Sequence, residues 1–135
     1  MAPMSVYGKC LAAALVAVAA LGACGGGDDG PSETAGDPEL IAEGKTHYEQ
    51  TCAACHGIDL KGTNTGPPFL HEYYAPNHHP DAAFFTAVEF GVKPHHWNFG
   101  PMPPQQNVTE EQVAAIVAYV RSEQEAAGIT NDPGH

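Results

Sequence analysis

The sequence predicts an all-α domain of three to four helices joined by long loops. Three observations carry that prediction. Helix-start signals stand at Asp37-Pro38-Glu39 and at Thr109, each followed by apolar residues at helical spacing. The stretches between them are dense in Gly, Pro and Asn and read as loops. At the end of the first helical stretch lies Cys52-Ala53-Ala54-Cys55-His56, two thiols one helical turn apart with an imidazole directly after the second.

Residues 1–23 read as a secretory signal peptide that is not part of the domain. Lys9 is the only charge before an apolar run from Leu11 to Leu21, which suits a signal core and is short for a membrane span. Cys10 lies inside it and is expected to be discarded. The run ends in Leu21-Gly22-Ala23-Cys24, which resembles the lipobox of bacterial lipoproteins and makes Cys24 the expected lipidated N-terminus. The alternative is ordinary cleavage after Ala23 with Cys24 as a spare thiol. Acylation with two or more chains would anchor the protein firmly, since each buried methylene adds about 0.8 kcal/mol and a single chain binds only marginally. Residues 24–37 are rich in Gly and acids, bury nothing, and form a tether spanning roughly 20 Å by random-coil scaling.

The folded domain is expected over residues 38–135. Asp37 caps its first helix, Pro38 takes the first helical position, and Glu39 suits the positive end of the helix dipole. Leu40, Ile41, Gly44, Tyr48 and Cys52 share one face. Gly44 costs about 1 kcal/mol relative to Ala in a helix interior. It marks either the close approach of another backbone or a tolerated glycine.

Cys52, Cys55 and His56 then match the attachment pattern of a covalently bound c-type haem. One helical turn brings both thiols to one haem edge, and the next residue turns its imidazole towards the iron. A thioredoxin-like pair needs a strand-helix-strand context that the flanking Gly and Pro do not offer, and a zinc knuckle needs two further ligands at close spacing. A domain this small commonly depends on a metal or cross-link, and haem supplies an apolar body for helices to pack on.

Gly57 to Pro68 is loop, and the carbonyl of Pro67 or Pro68 is placed to accept the second ring N–H of His56. After an irregular stretch holding His71, His78 and His79, Asp81 is expected to cap a helix from about Ala82 to Phe90, stopped by Gly91, with Phe84, Phe85 and Val88 inward. A second loop carries His95, His96, Trp97 and Gly100-Pro101-Met102-Pro103-Pro104. The last helix opens on a capping box of Thr109 and Gln112, with Val108 stapled to Val113, and ends at Gly128. Val113, Ile116, Val117 and Val120 make its apolar stripe, joined by Tyr119.

Over Pro38 to Gly128 these features together resemble class I cytochrome c. The likeness rests on the helix entering Cys52–His56, on Gly66-Pro67-Pro68, on Met102-Pro103, and on Ile116-Val117-Ala118-Tyr119-Val120 in the last helix. The resemblance implies one haem c held by Cys52 and Cys55, axial ligation by His56 and Met102, and single-electron transfer rather than enzymatic turnover. It also implies that the first and last helices cross, Gly44 and Tyr48 meeting Ile116 and Tyr119. A methionine taken alone is often core filling, but Met102 sits in a loop that prolines stiffen, as suits a weak sulfur ligand. An open or labile distal position would instead make a haem enzyme subunit or a gas or redox sensor, and a His-rich metal-binding lipoprotein is the remaining alternative. His71, His78, His79, His95 and His96 exceed what the resemblance explains, and read either as solvated or propionate-bonding loop histidines or as a second site for copper or zinc.

The chain carries 5 basic and 16 acidic side chains, a net charge of −11. Loss of the signal removes Lys9 and makes the balance −12. That balance disfavours nucleic acid and suits redox protein partners with a basic docking face. The expected location is outside the cytoplasm, anchored by lipid to a bacterial membrane and facing the periplasm or cell exterior.

Overall fold

The structure is a computed structural model and describes residues 36–131. The expected signal segment, Cys24 and most of the expected tether lie outside the described residues. The architecture is all-α: α1 (Pro38–Thr51), α2 (Ala53–His56), a 3-10 turn at Glu72–Tyr74, α3 (Asp81–Phe90) and α4 (Glu110–Ala126). Among the described residues no helix is long and apolar enough to cross a membrane.

Local chemistry sets both ends of the long helices. The Asp37 carboxylate accepts the Glu39 N–H at 2.9 Å, with Pro38 in the first turn. At α4 the capping box is complete: Thr109 Oγ1 accepts from the Gln112 N–H at 3.3 Å, and Gln112 Oε1 accepts from the Thr109 N–H at 3.0 Å. Its far end closes with the paired bonds of a Schellman motif, Gly128 N–H to Glu125 O at 2.9 Å and Ile129 N–H to Gln124 O at 2.8 Å.

α1 and α4 cross in contact at Gly44. A Cβ built there would lie 1.8 Å from the Ala115 carbonyl oxygen, so the backbones themselves touch. Close approach, not tolerance, explains this glycine. The Ile116 backbone N follows at 3.1 Å, as the expected crossing requires, with the Ala115 backbone nearer still. Beside the crossing, Tyr48 is fully buried, lies 5.5 Å from the Tyr119 ring, and donates its hydroxyl to the Gly57 carbonyl at 2.6 Å. Burial raises the phenol's pKa, so it stays a donor. The core continues through Leu60, Phe69, Phe84, Val113, Ile116, Val117 and Val120.

α3 departs from expectation at its start. The N-cap is Pro80, without a side-chain cap, and Asp81 is already helical. Its carboxylate receives the Arg121 Nε–H at 2.7 Å, and this partner from α4 outcompetes capping its own helix. The stop at Gly91 stands as expected, with φ +73°.

Candidate haem site

α1 runs almost directly into α2, so the thiols and the imidazole are placed by helix geometry. Cys52 caps α1, and its carbonyl accepts both the Cys55 N–H at 3.1 Å and the His56 N–H at 2.9 Å. Neither thiol is in a disulfide. Burial first, and neighbouring Cys55 second, push the Cys52 thiol up to about 11, so it is protonated and slow in disulfide exchange.

His56 is buried, and its ring stacks on Phe69 at 4.3 Å and 16°. Nδ1 lies 2.9 Å from the Pro67 carbonyl. A carbonyl only accepts, so the proton is on Nδ1 and the Nε2 lone pair is free for a metal. Of the two prolines open in the sequence, Pro67 supplies the contact. Burial lowers the His56 pKa against the opposing effect of that hydrogen bond, which keeps the ring in its neutral, ligating form.

Met102 arrives from the other end of the fold. Val92 and Met102 form an isolated antiparallel bridge, with N–H···O distances of 2.9 and 3.0 Å in the two directions. The bridge holds the segment in addition to its prolines. Gly91 is required beside it: a Cβ there would fall 2.5 Å from the Met102 carbonyl.

Cys52, Cys55, His56 and Met102 all line one cavity of about 740 Å³, within the ~300–1,000 Å³ typical of ligand sites. Phe69, Phe84, Val88, Val92, Val113 and Ile116 make apolar wall, and His79, His95, His96 and Trp97 line it as well. An apolar cavity that gathers two thiols, a neutral imidazole with a free lone pair, and a thioether fits a covalently bound haem.

The sequence profile described as Cytochrome c matches residues 41–124. The chain belongs to the cytochrome c family. This cytochrome is a monohaem c-type protein with covalently bound haem c, and carrying electrons is the work of its family. It is 33% identical over 109 residues to the cytochrome bc1 complex cytochrome c subunit of Corynebacterium efficiens, covering 73% of this chain and 32% of that protein. It is also 33% identical over 88 residues to the cbb3-type cytochrome c oxidase subunit CcoP of Cereibacter sphaeroides, covering 62% of this chain and 28% of that protein. The chain thus spans about a third of the length of these curated relatives. Among solved structures it resembles cytochrome CL from Methylophaga aminisulfidivorans, with a TM-score of 0.54 and 27% identity over 67% of this chain and 64% of the other.

Two side chains of this cytochrome shape the cavity without being foreseen. Arg121 donates to the Tyr74 and His79 carbonyls at 2.7 and 2.6 Å and sits 5.0 Å over the Phe84 ring. Gln124, almost fully buried, donates to the Phe69 carbonyl at 2.9 Å and the Tyr74 carbonyl at 3.1 Å. Together they fasten the segment carrying Phe69, Tyr74 and His79 onto α4. Their sequence signal was slight: both fall one turn after residues of the apolar stripe, Val117 and Val120.

Proposed function

We propose that this cytochrome is a membrane-anchored carrier of single electrons between redox proteins outside the cytoplasm, with Cys52 and Cys55 as haem thioethers, His56 and Met102 as axial ligands, and Cys24 as lipid anchor. The observation that carries the reading is the shared cavity: a neutral His56 with its Nε2 free, and Met102 on a bridged segment, face the same apolar space. When bound, haem c supplies one-electron exchange at its iron. The Pro67 carbonyl fixes the His56 ring and raises its basicity as a donor. The Val92 bridge holds Met102 so that a weak thioether keeps its place against water, and a thioether favours the reduced state. The wall that the cavity offers is mostly apolar. Both curated relatives are named as subunits of respiratory complexes, which supports redox proteins as partners. The net charge of −11 supports a basic docking face on them.

Met102→Ala tests the carrier reading. The expected result is loss of the near-infrared sulfur-to-ferric-iron band, new binding of carbon monoxide or cyanide, and a potential lower by on the order of 0.1 V, within the ~0.8 V over which axial ligands move haem potentials. A wild type that lacks the band and binds carbon monoxide readily has an open iron, and the enzyme or sensor reading replaces this one.

The anchor has its own test. The described fold begins at Asp37, so Cys24→Ser is expected to release a soluble, haem-loaded domain. Retention in the membrane fraction through high-salt washing means that lipid on Cys24 is not the anchor or not the sole one.

A further inference from the structure

We propose that His78, His79, His95 and His96 form a binding site for one divalent transition-metal ion of the zinc or copper class, which clips two loops together beside the haem cavity. His78 and His79 follow the 3-10 turn, and His95 and His96 precede the Met102 segment. The fold brings these two adjacent pairs face to face. His78, His79 and His96 each offer a ring nitrogen, all within 4.8 Å of one another, and form the core donor set; His95 lies outside that mutual set and joins it only through its contact with His79. Across the loops, His78 Nε2 lies 3.2 Å from His96 Nε2, and His79 Nε2 lies 3.4 Å from His95 Nε2. Zinc–imidazole bonds of about 2.0–2.1 Å in a tetrahedron put neighbouring donor nitrogens about 3.3–3.4 Å apart. Both cross-loop distances fall close to that edge.

The ring protons favour a cation between the loops. His79 Nδ1 contacts the Tyr73 carbonyl, and His95 Nδ1 lies 3.0 Å from the Lys93 carbonyl. Both carbonyls are acceptors, so both neutral rings carry their proton on Nδ1. Their Nε2 atoms therefore meet lone pair to lone pair at 3.4 Å, where neutral rings make no hydrogen bond. A cation between them resolves the contact, and the carbonyls act as the outer partners that orient metal-bound histidines. The fourth ring is also positioned, since His96 stacks on Tyr73 at 4.5 Å and 29°.

Rigidity comes from α4, whose Arg121 holds the His79 carbonyl at 2.6 Å. His71 is not a donor to the site, because its Nδ1 accepts the Tyr73 N–H at 3.2 Å to cap the 3-10 turn, which leaves the proton of a neutral ring on Nε2. The donor set narrows the ion to a transition metal. Imidazole nitrogens without carboxylate suit zinc and copper, while calcium and magnesium require oxygen. His79, His95 and His96 also line the haem cavity, so an ion here ties down its rim.

The test uses the haem-loaded full chain, stripped with a chelator and titrated separately with zinc chloride and copper sulfate by calorimetry and elemental analysis. The expected result is one ion per haem for at least one metal. X-ray absorption of the bound ion should show three or four imidazole nitrogens. His78→Ala with His96→Ala should weaken binding by ~100-fold or more, at or beyond the 10–100-fold loss typical of removing an outer-shell partner. His47→Ala, on α1 and paired with Glu43 at 3.3 Å, should bind like wild type. The double variant should keep its helical circular dichroism and its near-infrared haem band. Substoichiometric uptake of both metals, wild-type affinity in the double variant, or oxygen-dominated ligation overturns the proposal. So does loss of the haem band, since a histidine on the haem iron is not in this site.

Discussion

Replacing Cys52 and Cys55 together by alanine is expected to abolish haem that survives denaturing electrophoresis and to unfold most of the domain. The cavity of about 740 Å³ lies among α2, α3, α4 and both long loops, and its wall is made of side chains that reach into it. Without a tethered haem the cavity has nothing to fill it, half-buried wall such as Val88 loses its packing partner, and the loops lose what they wrap. A domain of this size has little other core to offset that loss. The contact of α1 with α4 around Tyr48 and Tyr119 is independent of the cavity wall and should leave some residual helix. Haem staining and far-ultraviolet circular dichroism are the measurements, with helical signal falling by more than about half. Covalent haem in the double variant means that other residues attach it.

Why some of this was legible in the sequence follows from distance along the chain. The ends of α1 and α4 depend on residues two to five apart, such as Asp37 with Glu39 and Thr109 with Gln112, so their bonds are written locally. Cys52, Cys55 and His56 are within one helical turn, and their spacing carries the chemistry. Asp81 shows the limit. An acid before an apolar run reads as a cap, but its partner Arg121 is 40 residues away and no local pattern announces it.

The same limit hides what shapes the cavity. Leu60 and Phe69 are core residues delivered by loops, where apolar periodicity has no meaning. Leu60 even takes a positive φ of 59°, while its carbonyl accepts the N–H groups of both Phe69 and Leu70. The bridge between Val92 and Met102, and the meeting of His78 and His79 with His95 and His96, are long-range pairings. The histidines themselves were visible. Their convergence was not, because it depends on Arg121 and Gln124 fastening one loop to α4.

Gly44→Ala is expected to destabilise the haem-loaded protein by about 3 kcal/mol or more, at or above the usual range for overpacking. By helix propensity alone the change should stabilise α1 by about 1 kcal/mol, so the sign of the effect decides whether the crossing is as tight as it looks. The new methyl would sit 1.8 Å from the Ala115 oxygen and 2.4 Å from its carbonyl carbon. Both are backbone atoms in mid-helix, and no rotamer change moves them aside. α1 and α4 must separate, which loosens Tyr48 and Val120, both fully buried. Displacing Tyr48 also strains its 2.6 Å bond to Gly57, the residue directly after His56, so the damage reaches the haem motif. At about 4–8 °C per kcal/mol for a domain of this size, the melting temperature should fall by more than ~10 °C. Thermal denaturation followed by circular dichroism and by the haem Soret band measures it. A variant that melts at or above wild type would show that the helices stand apart at Gly44, and that the glycine there is only tolerated.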